Sequence, residues 1–321
     1  MPTANIFPVS SCAADLMPAQ FGIAIPQYYP DGPVDPDALK RFVTRAEAQG
    51  FDSLWVGEEI FHAPALDPLS LLTFAAAHTS RARLGTAILV TTVRGPVQLA
   101  KEIATLDNLS RGRLTVGVGL GPTTRNYPAF GILSEHRLAR YLEGLAAMRK
   151  LWCEDKVVFD GAYWKFQGEH LEPKPVQKPH PPMWYAGRAD SALARAARQG
   201  QGWIGGKIVL EEFCRHVTTL RRLVEESGRD PDGFGIAKRV FVQVDPDKSR
   251  IEGRLMEFFG RTYGNPEEAK RAVIYGSAAE CADRIAEVVA AGCQVPILDP
   301  IFDRETQMEA LAADVLPALR R

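Results

Sequence analysis

Two glutamates stand side by side at Glu58 and Glu59, closing the apolar run in GFDSLWVGE (50–58). Adjacent carboxylates repel, and in a partly dry site one of them keeps its proton near neutral pH, which makes it a usable general acid. Side chains alternate along a strand, so only one of the pair faces inward. We assign that place to Glu59 and turn Glu58 away. His62, three residues on, is a third candidate for proton transfer, although a lone loop histidine is more often a surface residue than a catalyst. The alternative for the glutamates is a pair of solvated charges on a loop.

A second group of residues is defined by glycine. GVGLG (117–121) lacks the GxGxxG spacing and the tight entry into a helix that a dinucleotide fingerprint needs, so a Rossmann reading is rejected. Its glycines, Gly119 at the centre, instead let a flat ring approach the backbone, with Thr123, Arg125 and Asn126 offering hydrogen bonds from the loop beyond. Further along, the stretch from Gly187 to Ser191 leads from a strand into a helix, and the pair Gly205 and Gly206 ends another strand. Both present N–H groups of the kind that receive phosphate, and Arg188 adds a positive charge.

Positioning these residues requires a repeating scaffold. From Phe21 onward short β-type runs alternate with amphipathic helical stretches, the pattern of βαβ units around a parallel sheet. Strands are expected at 21–27, 53–57, 83–92, 114–121, 181–187, 202–206, 234–244 and 296–300. Helices are expected at 37–49, 69–78, 96–109, 135–152, 191–198, 278–291 and 305–319, with a hairpin-like insert at 157–166 turning on Asp160 and Gly161. Residues 246–275 read as a less regular excursion. Eight strands predict an α/β fold of the (β/α)8 TIM-barrel class with insertions, one domain over 21–321 behind a loose leader at 1–20. In that architecture the ends of the strands carry the chemistry, and Glu58, Glu59, Gly119, Gly187 and Gly205 all lie there. Trp203 and the group Trp152, Trp164 and Trp184 are assigned to packing.

Composition narrows the function classes. The 321 residues are 46% hydrophobic and 24% charged, ample for a core, and the formal net charge is -1 with lysine and arginine scattered. No basic stripe suits a nucleic acid or an anionic membrane surface, and no segment reaches membrane-spanning length. Five cysteines, odd in number, widely spaced and without a CxxC pair, suggest neither disulfide framework nor zinc site and favour a reducing, cytoplasmic compartment. A metal-dependent hydrolase would need Glu59, His62, His136, His170 and Asp299 to converge, but they show neither HxH nor HExxH spacing, so no metal is expected.

Five segments, taken in order, resemble the luciferase-like monooxygenase family. They are GFDSLWVGE (50–58), RLGTAILVTTVRGPVQLAKEIATLDNLSRGRLTVGVGLG (83–121), PVQKPHPPMWYAG (175–187), GQGWIGG (200–206) and YGSAAECADRIAEVVAAG (275–292). The resemblance runs through nearly all of the chain from Phe21 and implies the same barrel. It also implies a flavin or deazaflavin at the C-terminal mouth and a small organic substrate. The runs DSLWVGE to ALDPLSLL and LSRGRLTVGVGLG are closest to the deazaflavin subgroup, implying hydride transfer to or from coenzyme F420. The alternative is an FMN-dependent monooxygenase using reduced flavin and dioxygen. A barrel that binds its cofactor without turnover is a further alternative, because deazaflavin members commonly show Asp-His where this chain has Glu58 and Glu59. By the same resemblance Ala87 and Ile88 form a strand-three bulge, with a non-prolyl cis peptide behind the central ring. Thr91 and Arg94 line the ring's polar edge, and Ala186, Gly187, Arg188, Ser191 and Gly205 hold the phosphate. A homodimer through the early helices, with their Ala-rich stretch at 69–79, is expected as well.

Overall fold

The computed structural model describes residues 19–29, 32–61, 63–121 and 127–320. The leader at 1–18, His62, Thr123, Arg125 and Asn126 lie outside them. Twelve strands occur among the described residues: β1 (Gly22–Ala24), β2 (Ser53–Val56), β3 (Arg83–Thr86), β4 (Leu89–Val90), β5 (Leu114–Gly119), β6 (Val157–Asp160), β7 (Lys165–Glu169), β8 (Met183–Ala186), β9 (Gly202–Gly205), β10 (Gly235–Val244), β11 (Val273–Gly276) and β12 (Val295–Pro300). Eight of them, β1, β2, β3, β5, β8, β9, β10 and β12, pair in parallel in that order, and β12 pairs β1 to close the ring. The fold is a TIM barrel, as the periodicity predicts. The hairpin of β6 and β7 is antiparallel and stands outside it, its loop held by Glu143, whose carboxylate accepts the N–H groups of Ala162, Tyr163 and Trp164.

The α-helices are α1 (Pro36–Ala48), α2 (Pro68–His78), α3 (Pro96–Leu109), α4 (Arg137–Cys153), α5 (Asp190–Gln199), α6 (Leu210–Glu226), α7 (Lys248–Tyr263), α8 (Glu268–Ala272), α9 (Ala278–Ala290), α10 (Arg304–Ala310) and α11 (Leu316–Leu319). None is long and apolar enough to cross a membrane. Their starts are written in the sequence. Proline stands at the first turn of α1, α2 and α3, Asp35 and Asp67 cap α1 and α2, and Ser277 with Glu280 forms a reciprocal capping box on α9. One expectation fails: the excursion at 246–275 is the 16-residue helix α7, the short α8 and the strand β11. The glycines Gly253 and Gly260 interrupt the composition of α7, yet Ile251, Leu255 and Phe259 recur every fourth residue, are buried together, and drive the helix onto the barrel.

Strand residues divide between two cores. Leu54, Val56, Leu84, Val116, Val118 and Tyr185 face the helices, while Trp55, Ile204, Ala237, Val295 and Ile297 fill the barrel with half-buried Trp184 against them. Trp55 and Trp184 meet with ring centroids 6.2 Å apart. Rings this large fit because glycine lies beside each one. A Cβ on Gly22 would come within 2.6 Å of the Trp55 ring nitrogen, and one on Gly202 within 2.7 Å of Trp184. Trp152 and Trp164 pack on the outer side, and Trp203, expected to fill the barrel, packs there too because its neighbour Ile204 takes the inward place on β9.

Candidate active site

At the C-terminal mouth a cleft of about 280 Å³, partly open to solvent, is lined by Gln27, Tyr28, Trp55, Gly57, Ala87, Arg239 and Arg304. One wall is the interruption of the third barrel strand. Between β3 and β4 the peptide bond from Ala87 to Ile88 is cis, and both residues are half-buried. Ile88 lies against Gly119, where a Cβ would meet its Cδ1 at 2.7 Å, and the same point is 3.5 Å from the Ala186 Cβ. The structure therefore gathers Ala87, Ile88, Gly119 and Ala186, four of the sequence-predicted cofactor residues, from three strands into one patch of small and apolar surface.

The glutamates separate. Glu58 has a side chain only 4% exposed, and its carboxylate accepts Arg94 Nε at 3.0 Å, Arg94 Nη2 at 2.8 Å and the Val90 N–H at 3.3 Å. Arg94 reaches on to Asp67 at 2.6 Å, and Asp67 in turn caps α2 through the Ser70 N–H. This chain of contacts ties the end of β2 to the starts of α2 and α3. Burial works against the Arg94 charge, but Glu58 and Asp67 outweigh it and move its pKa upward. Arg94 is thus spent on the scaffold, a correction to its expected place at a ring edge. The expected rivalry of two adjacent acids is also replaced, since Glu58 is neutralised by a guanidinium. Glu59 follows half-buried, at the start of the loop carrying exposed Ile60 and Phe61. Ahead of both, buried Gln27 holds Gly57 in place, accepting its N–H at 3.0 Å and donating to its carbonyl at 2.7 Å.

Across the mouth a charged group that sequence reasoning missed comes together. Asp299, wholly buried at the end of β12, accepts Arg239 Nε at 2.5 Å and Arg304 Nη1 at 3.2 Å. Two guanidiniums share one carboxylate at the cleft, and such donors can hold an anion or polarise a carbonyl oxygen. Arg239 and Asp299 are 60 residues apart in the chain, so no local spacing announces them. Asp299 as a metal ligand is superseded by this pairing. His136, another residue of that reading, hydrogen-bonds the Tyr163 hydroxyl at 3.0 Å instead.

The late loops carry the remaining candidates. Gly187 has φ 138°, a conformation favouring glycine, and its carbonyl accepts Trp203 Nε1 at 3.0 Å. The next turn starts α5, whose N-cap, Ala189, has no side chain to accept the first N–H groups; Ser191 lies in that turn and is exposed. Arg188 is 63% exposed and within 3.8 Å of Glu212 on α6. Gly205 ends β9 and has no room for a side chain. Its missing side chain faces Trp203 and Phe213, where a Cβ would sit 2.9 to 3.1 Å from their rings, so it serves packing. Gly206 is the open one, exposed and with nothing within 4 Å of where a Cβ would stand.

A closed parallel barrel with a cleft at its C-terminal mouth is a TIM barrel, and the comparisons name the family within that class. The model of the luciferase-like monooxygenase family matches residues 19–294, and the chain belongs to that family. An uncharacterised protein of Mycobacterium tuberculosis is 41% identical over 186 residues, 58% of this chain; the chain spans 64% of that relative's length. An F420-dependent glucose-6-phosphate dehydrogenase of Beutenbergia cavernae is 29% identical over 89% of this chain and 94% of its own. Among solved structures, an F420-dependent secondary alcohol dehydrogenase in complex with an F420-acetone adduct superposes with a TM-score of 0.83 at 22% identity, covering 95% of this chain and all of that one. A monooxygenase from Streptomyces bottropensis gives a TM-score of 0.78 at 25% identity, over 93% of this chain and 99% of its own. The chain is an oxidoreductase-family barrel with F420-dependent relatives and monooxygenase neighbours.

Proposed function

We propose that this protein transfers a hydride between coenzyme F420 and a small organic substrate at the mouth of the barrel. The observation that carries the reading is the patch formed by Ala87, Ile88, Gly119 and Ala186 beside an open cleft, a flat apolar bed for a planar ring. The residues present fit such a group. Beyond the bulge the Thr91 hydroxyl is buried with no hydrogen-bond partner among the described residues, as a residue awaiting a polar ring edge would be. On the far side, Gly206, Ser191 and the uncapped start of α5 offer N–H groups for a phosphate, with Arg188 at the rim. A deazaflavin supplies the hydride chemistry when bound. The chain's own residues orient and polarise: Arg239 and Arg304 face the cleft opposite the bulge, positioned to hold the substrate oxygen, and Glu59 gives or takes the accompanying proton.

Absorbance and fluorescence titrations of the purified protein with F420 and with FMN test this reading. Saturable, tighter binding of F420 supports it. Binding of FMN alone would establish the second reading, a monooxygenase using reduced flavin and dioxygen, which the likeness to the Streptomyces monooxygenase favours. Glu59 keeps the third alternative, binding without turnover, open to the same titration followed by a turnover assay. We also propose a homodimer through α2 and α3, where Ala77 and Val97 are exposed, and a cytoplasmic setting, in which Cys153, Cys214, Cys281 and Cys293 stay free. Sedimentation at micromolar concentration reports the former.

A further inference from the structure

A second cavity lies on the other side of the barrel wall. The strand β10 is longer than its neighbours: on one edge β9 pairs it from Gly235 to Lys238 and β11 takes over only at Phe241. Along that edge Arg239 and Val240 stand between the two strands, and the surrounding helices leave a small pocket partly open to solvent. Its walls come from Ile208, Val209 and Leu210 at the start of α6, from Ile274 on β11 and from Val288 on α9. Its charged lining is lopsided, with Lys238, Arg271 and Arg284 against the single carboxylate Glu287.

Lys238 is the informative member. It is 7% exposed, yet its ammonium makes one hydrogen bond, donating to the Ile208 carbonyl at 2.7 Å, and rests 5.7 Å from the centre of the Phe213 ring. No carboxylate pairs with it among the described residues; Glu212 on α6, the nearest acidic influence, is engaged with Arg188 and His216. An ammonium has three protons to donate, and a buried cation without a counter-ion is costly. Burial pushes its pKa down to about 8, while Cys293 and Glu212 pull it slightly the other way. Beside it α6, 17 residues long, begins at Leu210 with no side-chain cap at Val209, and its first turn carries Glu211 and Glu212. Apolar walls around Lys238, Arg271 and Arg284, with Glu287 the one carboxylate in the lining, suit a small anion, including one with a short apolar body.

We propose that this cavity binds a small anion, a phosphate or a carboxylate, on Lys238, Arg271 and Arg284. The site is separate from the barrel mouth, because alternation along β10 sends Lys238 outward and Arg239 inward. Calorimetric titration of the intact protein with inorganic phosphate and with hexanoate tests it and separates the two chemistries. At least one probe should bind and raise the melting temperature. Lys238→Met should weaken that binding by about tenfold or more, and Arg284→Gln by a smaller factor, while Lys165→Met, on the exposed hairpin outside the barrel, leaves it unchanged. Should Lys238→Met fail to fold, Arg284→Gln and Arg271→Gln decide. The ammonium is the binding form, so affinity should be lower at about pH 9 than at about pH 7, on either side of its value near 8. The other groups facing it are Glu212 from α6, Arg271 from α8, Arg284 and Glu287 from α9, and the Cys293 thiol, itself pushed up to about 12 by burial. Binding unchanged in Lys238→Met, loss of binding in Lys165→Met, or no binding of either probe overturns the proposal.

Discussion

The two sides of the barrel mouth are built on opposite principles. On the side of β2 and β3, polar groups satisfy one another: Gln27 is saturated by Gly57 and Leu66, Glu58 by Arg94 and Val90, and Arg94 by Glu58 and Asp67. On the side of β8 and β9, the chain leaves groups open: Gly206 faces empty space, the start of α5 has no cap, and Arg188 is largely exposed. A saturated region is a scaffold, since a buried network is stable only when every member has its partner. An open one is available to a ligand.

Breaking the saturated side should have the largest effect. Arg94→Met leaves the Glu58 carboxylate buried and unpaired and removes the link to α2, so stability should fall by about 3–5 kcal/mol, read by chemical denaturation. A loss below about 1 kcal/mol would show the clamp to be ornamental. Next comes Glu59→Gln, which should preserve the fold and cofactor affinity while lowering turnover about a hundredfold or more, the usual contribution of positioned proton transfer. Glu58→Gln should instead act mainly on stability. If turnover follows Glu58 and ignores Glu59, the assignment of the two is reversed.

The open side should respond more gently. Arg188→Ala should weaken cofactor binding by about tenfold, or 1.4 kcal/mol, with turnover at saturating cofactor nearly unchanged; its exposure and its contact with Glu212 limit the effect. The smallest change concerns pH. His180 is buried, packed at a tilt against Trp152 and hydrogen-bonded to the Pro181 carbonyl, and burial moves its pKa below the usual 6.5. Below pH 6.5 the unfolded chain therefore holds a proton on this residue that the folded chain resists. Stability should fall as pH drops from 6.5 through the depressed folded value, and not above it. Denaturation midpoints compared with those of His180→Phe over that window should show the slope flattened in the variant.

How much of this was legible in the sequence follows from the range of each interaction. The barrel and most element starts are local in origin: alternating apolar runs, Pro36, Pro68 and Pro96 at first turns, and the Ser277 and Glu280 box are each contained in a few residues. The bulge at Ala87 and Ile88 was reached by resemblance, because nothing in the residue types Ala and Ile specifies a cis bond. Helix α7 could have been found, as Asp247 caps it and Gly264 ends it in the left-handed region at φ 69°, but its internal glycines masked the period. The Asp299 pairing with Arg239 and the Glu58 pairing with Arg94 were out of reach, for they join residues 60 and 36 positions apart that meet only once neighbouring strands pair. Gly205 and Gly206 show the finest limit. Which glycine of an adjacent pair faces packing and which faces space is a matter of strand register, and a one-residue shift exchanges them.

The central claim is that the open arc and the bulge together hold the cofactor, and a crystal structure of the protein with F420 tests it most directly. The account predicts the deazaflavin ring against the backbone of Ala87 and Ile88, beside Gly119, with its phosphate on the N–H groups of Gly206 and the first turn of α5. A ring bound away from the bulge, or a phosphate seated on the side of Glu58 and Arg94, would contradict it.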